Sequence, residues 1–313
     1  MFTSLFTSLS GLAFMASIAT AQCSDSTASA DVQGPTIVEV AVGNKDFSTL
    51  VTALKASGLD STLSGHGPFT VFAPTNGAFN KLPKGTIAKL LLPESKKTLQ
   101  SILVHHVVPG NLPAAKVGTA SGAVAVGGQW LDFKVKGKEV FIDGALVSVA
   151  DIQCRNGVIH VIDTVMLPAE SNLVQVASKA GSFETLLAAA SAAGLAETLQ
   201  SSGPFTVFAP NDSAFAALGN ETIQHLLLPE NRDALANVLK HHIAQGRLYS
   251  PDAIAAGSIK TLAGTTLPIT IRDGKAMVGN AHLVATDVDA NNGVIHVIDT
   301  VLNPSVKVSA AQN

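Results

Sequence analysis

Arginine is scarce in this chain: Arg155, Arg232, Arg247 and Arg272 are the whole supply in 313 residues, and Lys and Arg together number 20 against 23 Asp and Glu. Binding a phosphate backbone takes clustered cationic side chains, so a net charge of −3 with so little arginine sets nucleic acid aside as a partner. Charge of either sign is thin: 14% of residues are charged, where a soluble protein typically has about 25%, and Ala, Ser, Thr and Gly fill the gap. Cysteine stops at Cys23 and Cys154. In an oxidising compartment these two can pair, tying the start of the mature chain to the first domain; the alternatives are a buried free Cys154 and an unpaired or intermolecular Cys23.

Catalytic motifs are missing too. There is no Ser nucleophile elbow, no Cys nucleophile with a positioned His, no pair of acids in a defined motif and no phosphate-cradling glycine loop. The chain therefore reads as non-enzymatic and without a cofactor. Two pairs of adjacent histidines occur, His105-His106 and His241-His242. Neighbours on a helix point about 100° apart. Chelation from one helix face uses i, i+4 spacing as in H-E-x-x-H, which is absent, so they read as structural or interaction histidines and no metal is expected. His160 and His296 lie inside apolar runs and read as hydrogen-bonded core imidazoles.

Residues 1–21 carry an apolar stretch, Leu5 through Ile18, and end in Ala19-Thr20-Ala21. That ending is the small-residue pattern of a signal-peptidase site, so cleavage is expected before Gln22. After that point no apolar run of about 18 residues occurs, and no membrane-spanning helix is expected. The tail, 305–313, lacks the hydrophobic stretch of a GPI signal. These features predict a released, extracellular protein with no membrane anchor.

What is abundant is repetition. Pro68-Phe69-Thr70-Val71-Phe72-Ala73-Pro74 recurs as Pro204-Phe205-Thr206-Val207-Phe208-Ala209-Pro210, every position number raised by 136. Leu90-Leu91-Leu92-Pro93-Glu94, His105-His106 and Asn156-Gly157-Val158-Ile159-His160-Val161-Ile162-Asp163 recur at the same shift, as Leu226 to Glu230, His241-His242 and Asn292 to Asp299. A constant offset means no net insertion between landmarks, and the interval far exceeds a solenoid repeat of about 20–50 residues. Each copy is expected to be a whole domain: 36–168 and 169–304, after a linker at 22–35, with a junction too short for free swinging.

Within a copy, Phe47, Leu50, Val51 and Leu54 fall at helical spacing, with Asp46 as the expected cap and Gly58 as the expected stop. A strand over 69–73 and further helical segments follow. The last third alternates as strands separated by glycine-rich turns, and Asn156-Gly157 and Asn292-Gly293 read as type I′ hairpin turns. The class is α+β.

These landmarks resemble the fasciclin family, whose first signature box is similar to Thr70–Phe79 and Thr206–Phe215 and whose second is similar to Asn156–Asp163 and Asn292–Asp299. The resemblance covers about 36 to 304 and implies a wedge-shaped β-sandwich flanked by helices, in secreted or surface proteins of cell–cell and cell–matrix adhesion. Many members carry a Tyr-His pair linked to integrin binding. Here His106 and His242 match its histidine, while His105 and His241 replace the tyrosine. An Asp-Ile pair before the second box is matched by Asp151-Ile152 and nearly matched by Asp287-Val288. The interaction candidates are therefore His105, His106, Asp151, Ile152, His241, His242, Asp287 and Val288, toward a matrix component or a cell-surface receptor. Some relatives are carotenoid carriers, which makes a soluble carrier of an apolar ligand such as a carotenoid or lipid the alternative.

Charge separates the copies: domain one has 12 Lys and Arg against 9 Asp and Glu, domain two 7 against 12. Weak head-to-tail self-association is the corresponding expectation. Two N-glycosylation sequons begin at Asn211 and Asn220, Asn220 being the less confined.

Overall fold

The computed structural model describes residues 34–201 and 203–303. The expected leader (1–21), most of the 22–35 linker with Cys23, and the 305–313 tail lie outside the described residues.

Each domain opens on a helix that its sequence caps. Thr36 and Glu39 form a reciprocal capping box on helix Ile37–Gly43, and Asn172 and Gln175 do the same on Leu173–Ala180, each side chain meeting a backbone N–H that the helix leaves free. The next helix, Ser48–Ser57, starts otherwise than its sequence suggests. The Asn44 side chain takes the Asp46 N–H, a 3-10 turn forms over Lys45–Phe47, and the free N–H of Thr49 is met from outside by Asn76 Oδ1 at 3.0 Å. Asp46 is thus not the cap, because its own backbone is already part of the preceding turn. Gly58 closes the helix in the left-handed region, at φ 79 degrees, a conformation glycine adopts without the Cβ penalty.

The strands of domain one are β1 (Phe69–Pro74), β2 (Val107–Pro109), β3 (Gly122–Val124), β4 (Trp130–Lys136), β5 (Glu139–Ile142), β6 (Ala145–Cys154) and β7 (Gly157–Ile162). They form one seven-stranded sheet in the order β2-β1-β7-β6-β5-β4-β3, with β1 and β7 parallel. Domain two repeats this with β8 (Phe205–Pro210), β9 (Ile243–Gln245), β10 (Ser258–Lys260), β11 (Thr266–Arg272), β12 (Lys275–Val278), β13 (Ala281–Ala290) and β14 (Gly293–Ile298). The sheets curl like barrels: Val126 N–H donates to Val107 O and Leu262 N–H to Ile243 O, each at 2.7 Å, bringing the two sheet ends together. The expected α+β class holds, with this curled sheet as its β layer.

Central strands β1 and β7 are buried without alternation because both of their faces are covered. Val71, Ala73 and Ile159 face the helices and pack with Phe47, Leu50 and Leu54. Successive side chains alternate across a strand, so Phe72 and Ile162 point the other way, into a second cluster with Leu131, Phe133 and Ile142.

Asn156-Gly157 is not a type I′ turn. The two-residue loop between β6 and β7 is Arg155-Asn156, neither at positive φ, and Gly157 already belongs to β7. Glycine is required there for close approach, since a Cβ would stand 1.8 Å from Phe69 O. Gly293 meets Phe205 O the same way at 2.2 Å. The type I′ chemistry sits instead at Asp143-Gly144 and Asp273-Gly274, where both residues have the positive φ that this turn demands.

Candidate functional site

His106 ends the turn after helix Lys96–His105 and is 2% exposed. Its Nδ1 lies 2.8 Å from Ile102 O, and its Nε2 accepts from Met166 N–H at 3.0 Å. The second bond needs an unprotonated Nε2, so the ring is neutral with its proton on Nδ1. His242 repeats this with Val238 O and Leu302 N–H, each at 2.8 Å. Burial pushes the pKa of both down to about 4. Each ring clips a helix end to the chain that leaves the sheet.

His160 and His296 do similar work. His160 Nε2 lies 2.8 Å from Leu112 O, and Nδ1 accepts from Asp151 N–H at 3.3 Å while the ring stacks on Phe72. His296 mirrors this through Leu248 O, Asp287 N–H and Phe208. These contacts tie the histidines of the second box to the Asp pairs. Asp151 and Asp287 stand at bulges with φ of 60 and 62 degrees, a region that Asp tolerates better than most side chains. Asp151 Oδ1 accepts from Ala114 N–H at 2.9 Å and Asp287 Oδ1 from Ser250 N–H at 2.7 Å, each holding a helix start. Ile152 and Val288 lie half-buried against the helical cores.

Among the interaction candidates, Asp151 is exposed and Ile152, Asp287 and Val288 are partly so. None of the four paired histidines exposes more than 6% of its surface. Asn211 caps helix Asp212–Ala216 by accepting from Ala214 N–H at 2.8 Å, whereas Asn220 is exposed. Cys154 is buried, which pushes its thiol up to about 11. Cys23, with which it could pair, is outside the described residues. Among the described residues no group of three or more His, Cys, Asp or Glu is placed for a metal ion.

His105 and His241 part company. His241 Nδ1 bonds Thr265 Oγ1. At the matching position domain one has Gln129, whose amide turns away to the interdomain linker, donating to Ala169 O at 3.1 Å and accepting Ala169 N–H at 2.7 Å. His105 pairs instead through Nε2 with Asp143 Oδ2 at 3.2 Å.

Gln129 leads into a junction between the domains. Asp289 of β13 accepts Trp130 N–H at Oδ2 and Arg247 Nη1 at Oδ1, both at 2.8 Å. The Tyr249 hydroxyl stands 2.8 Å from Asp289 Oδ1 and 3.1 Å from Gly128 O of domain one. The Trp130 and Tyr249 rings lie 5.1 Å apart, and Arg247 Nη2 donates to Asn291 O at 3.1 Å. Asn291 N–H in turn bonds Ser171 O of the linker at 2.9 Å. Burial pushes the Asp289 carboxyl up, against the pull of Tyr249, Trp130 and Arg247, and pushes the Tyr249 phenol up, with the Asp289 charge adding to it, as desolvation disfavours the charged form of either group.

Under the helices of domain two lies an apolar cavity of about 40 Å³, with Leu186, Leu187, Ala190, Leu239 and Ile295 in its wall. The matching cavity of domain one is about 20 Å³, with Leu54 where domain two has Ala190.

The Fasciclin domain family matches the chain twice, over residues 45–168 and 181–304. Protein sll1483 of Synechocystis sp. is 52% identical over 171 residues, covering 52% of this chain and 94% of that protein. Transforming growth factor-beta-induced protein ig-h3 of Sus scrofa is 31% identical over 269 residues, covering 86% of this chain and 38% of its own length, so the chain spans little more than a third of that relative. A solved FAS1 domain pair from the insect cell adhesion molecule Fasciclin I is 19% identical and aligns over 82% of this chain and 95% of its own with a TM-score of 0.42.

Proposed function

Because this chain belongs to the fasciclin-domain family, in two tandem copies, we propose that it is a secreted, non-enzymatic protein of adhesion or matrix binding, acting on a matrix component or a cell-surface receptor. The family match over both domains carries this reading. The site geometry supports it, since the imidazoles of the repeated boxes bond backbone groups and so build a frame rather than face a substrate. Within this reading Asp151 and Ile152 are the contact residues of domain one and Asp287 and Val288 those of domain two. The histidine pairs act from inside, as supports.

Solid-phase binding to matrix from the protein's own source tests it. Asp151→Asn keeps an acceptor for Ala114 N–H and tolerates positive φ, so it removes the carboxylate charge with little cost to the fold, and Ile152→Ser, which also gives up packing on the core, is combined with it where urea unfolding shows the fold intact. Saturable binding is expected to weaken about tenfold or more, or roughly 1.4 kcal/mol. Unchanged binding removes the residue assignment, and absence of saturable binding by the unaltered chain removes the reading.

The carrier alternative draws on the second-domain cavity, whose wall is apolar apart from His242 and whose volume is about 40 Å³. An apolar cavity that admits benzene measures roughly 150 Å³. A carotenoid or lipid therefore requires the helices to part, and a visible absorbance band from natively purified protein is its test.

A further inference from the structure

The repeat puts two chemically opposite surfaces at the same address in the two domains. Residues 81–97 run through helix Thr86–Leu90 and the 3-10 turn Pro93–Ser95 into helix Lys96–His105. They carry Lys81, Lys84, Lys89, Lys96 and Lys97 against Glu94, a balance of +4. Their counterparts, residues 217–233, carry Glu221, Glu230 and Asp233 against Arg232, a balance of −2. All these side chains belong to exposed residues. Lys96 and Arg232 both lie back over the glycine that closes an earlier helix: a Cβ on Gly58 would meet Lys96 Nζ at 3.8 Å, and one on Gly194 would meet Arg232 Nη2 at 2.3 Å. Lys81 pairs with Asp163 at 2.8 Å. Lys84, Lys89 and Lys97 on one side, and Glu221, Glu230 and Asp233 on the other, enter no ion pair among the described residues.

Each surface also has an apolar centre. Leu90 and Leu91, like Leu226 and Leu227, pack partly buried against their cores. The third leucine of each run, Leu92 or Leu228, stays 45% or 41% exposed, held out by the proline that follows it. The molecule thus presents an exposed leucine flanked by lysines on one domain and an exposed leucine flanked by carboxylates on the other.

We propose that these two surfaces dock between copies of this chain, the Leu92 surface of one molecule on the Leu228 surface of the next. The contact is heterologous, so it propagates head to tail into an open chain or closes into a ring. A second copy is favoured over an anionic polysaccharide because a polysaccharide would engage only the basic half. The acidic half, with its own exposed leucine, accompanies the basic half in equal number wherever the protein is. The inference goes beyond matrix binding and stands without it.

Light scattering on the full mature chain, made in a host that adds no glycan at Asn220, tests the proposal. Mass should rise with concentration at about 0.01 M salt and fall to that of a single chain at about 0.5 M, as screening shortens the reach of the charges. One variant, Lys84→Glu with Lys89→Glu and Lys97→Glu, and a second, Glu221→Lys with Glu230→Lys and Asp233→Lys, should each associate about tenfold or more weakly alone. Mixed, they should associate again, because each supplies the charge the other lacks. A single-chain mass for the unaltered protein at low salt, variants that associate undiminished, or a mixture that stays dispersed would each overturn it. So would capture by alginate that needs the lysines in a protein that does not self-associate.

Discussion

The two domains share a frame and differ in what is hung on it. Asn156 and Asn292, His106 and His242, and His160 and His296 each make the same backbone bonds in their own domain. The interdomain junction has no such symmetry: Trp130, Arg247, Tyr249 and Asp289 correspond by register to Thr266, Asn111, Pro113 and Gln153. The charged segments 81–97 and 217–233 likewise invert their sign. The buried residues that keep the repeat build the fold, while Trp130, Tyr249 and Asp289, which break it, reach across to the other domain.

The frame half of this comparison is broken most severely at the buried asparagines. Asn156 Oδ1 accepts Ile37 N–H, and its amide donates to Leu63 O and Gly65 O. Asn292 joins Leu173, Leu199 and Ser201 in the same way. Replacing either by Ala strands buried backbone groups, and a loss of about 3 kcal/mol is expected in whichever domain is altered, read by urea unfolding. A large loss in one domain and none in the other would end the equivalence.

Acid is the next lever. His106 and His242 are buried neutral, with pKa values about 4 against 6.5 for a free side chain. A depressed histidine pKa means that protons bind the unfolded chain preferentially as pH falls below 6.5, so stability is complete above that value and declines toward pH 4. At pH 5 each ring should cost about 2 kcal/mol. Urea unfolding at pH 7 and pH 5 should show a shared decline in both domains, and His106→Gln should flatten it in domain one alone.

Much of the frame was legible in the sequence, because one constant register ties the two strand-rich boxes, the histidine pairs and the helical spacings together. Misreadings came from motifs with two physical meanings. Asn-Gly suits a type I′ turn, yet here the glycine answers a close approach to Phe69 and the asparagine crosslinks three segments. Asp46 looks like a cap, but Asn44 just before it takes its N–H. The junction was hidden for a different reason. Its residues break the repeat, and the only trace they left was rarity: the chain's single Trp, its single Tyr and one of its four Arg meet at one carboxylate.

Asp289→Ala, followed by Trp130 fluorescence and calorimetry, tests the division between frame and attachment most directly. The Asp289 side chain makes no bond that domain one repeats, so each domain should still fold, with the frame unchanged. Losing its bond to Trp130, and the seat that Asp289 gives the Tyr249 hydroxyl on Gly128 O, should cost roughly 1–3 kcal/mol of interdomain coupling, red-shift the Trp130 emission and separate the unfolding of the two domains. Emission and unfolding identical to those of the unaltered chain, or collapse of domain two itself, would contradict the account.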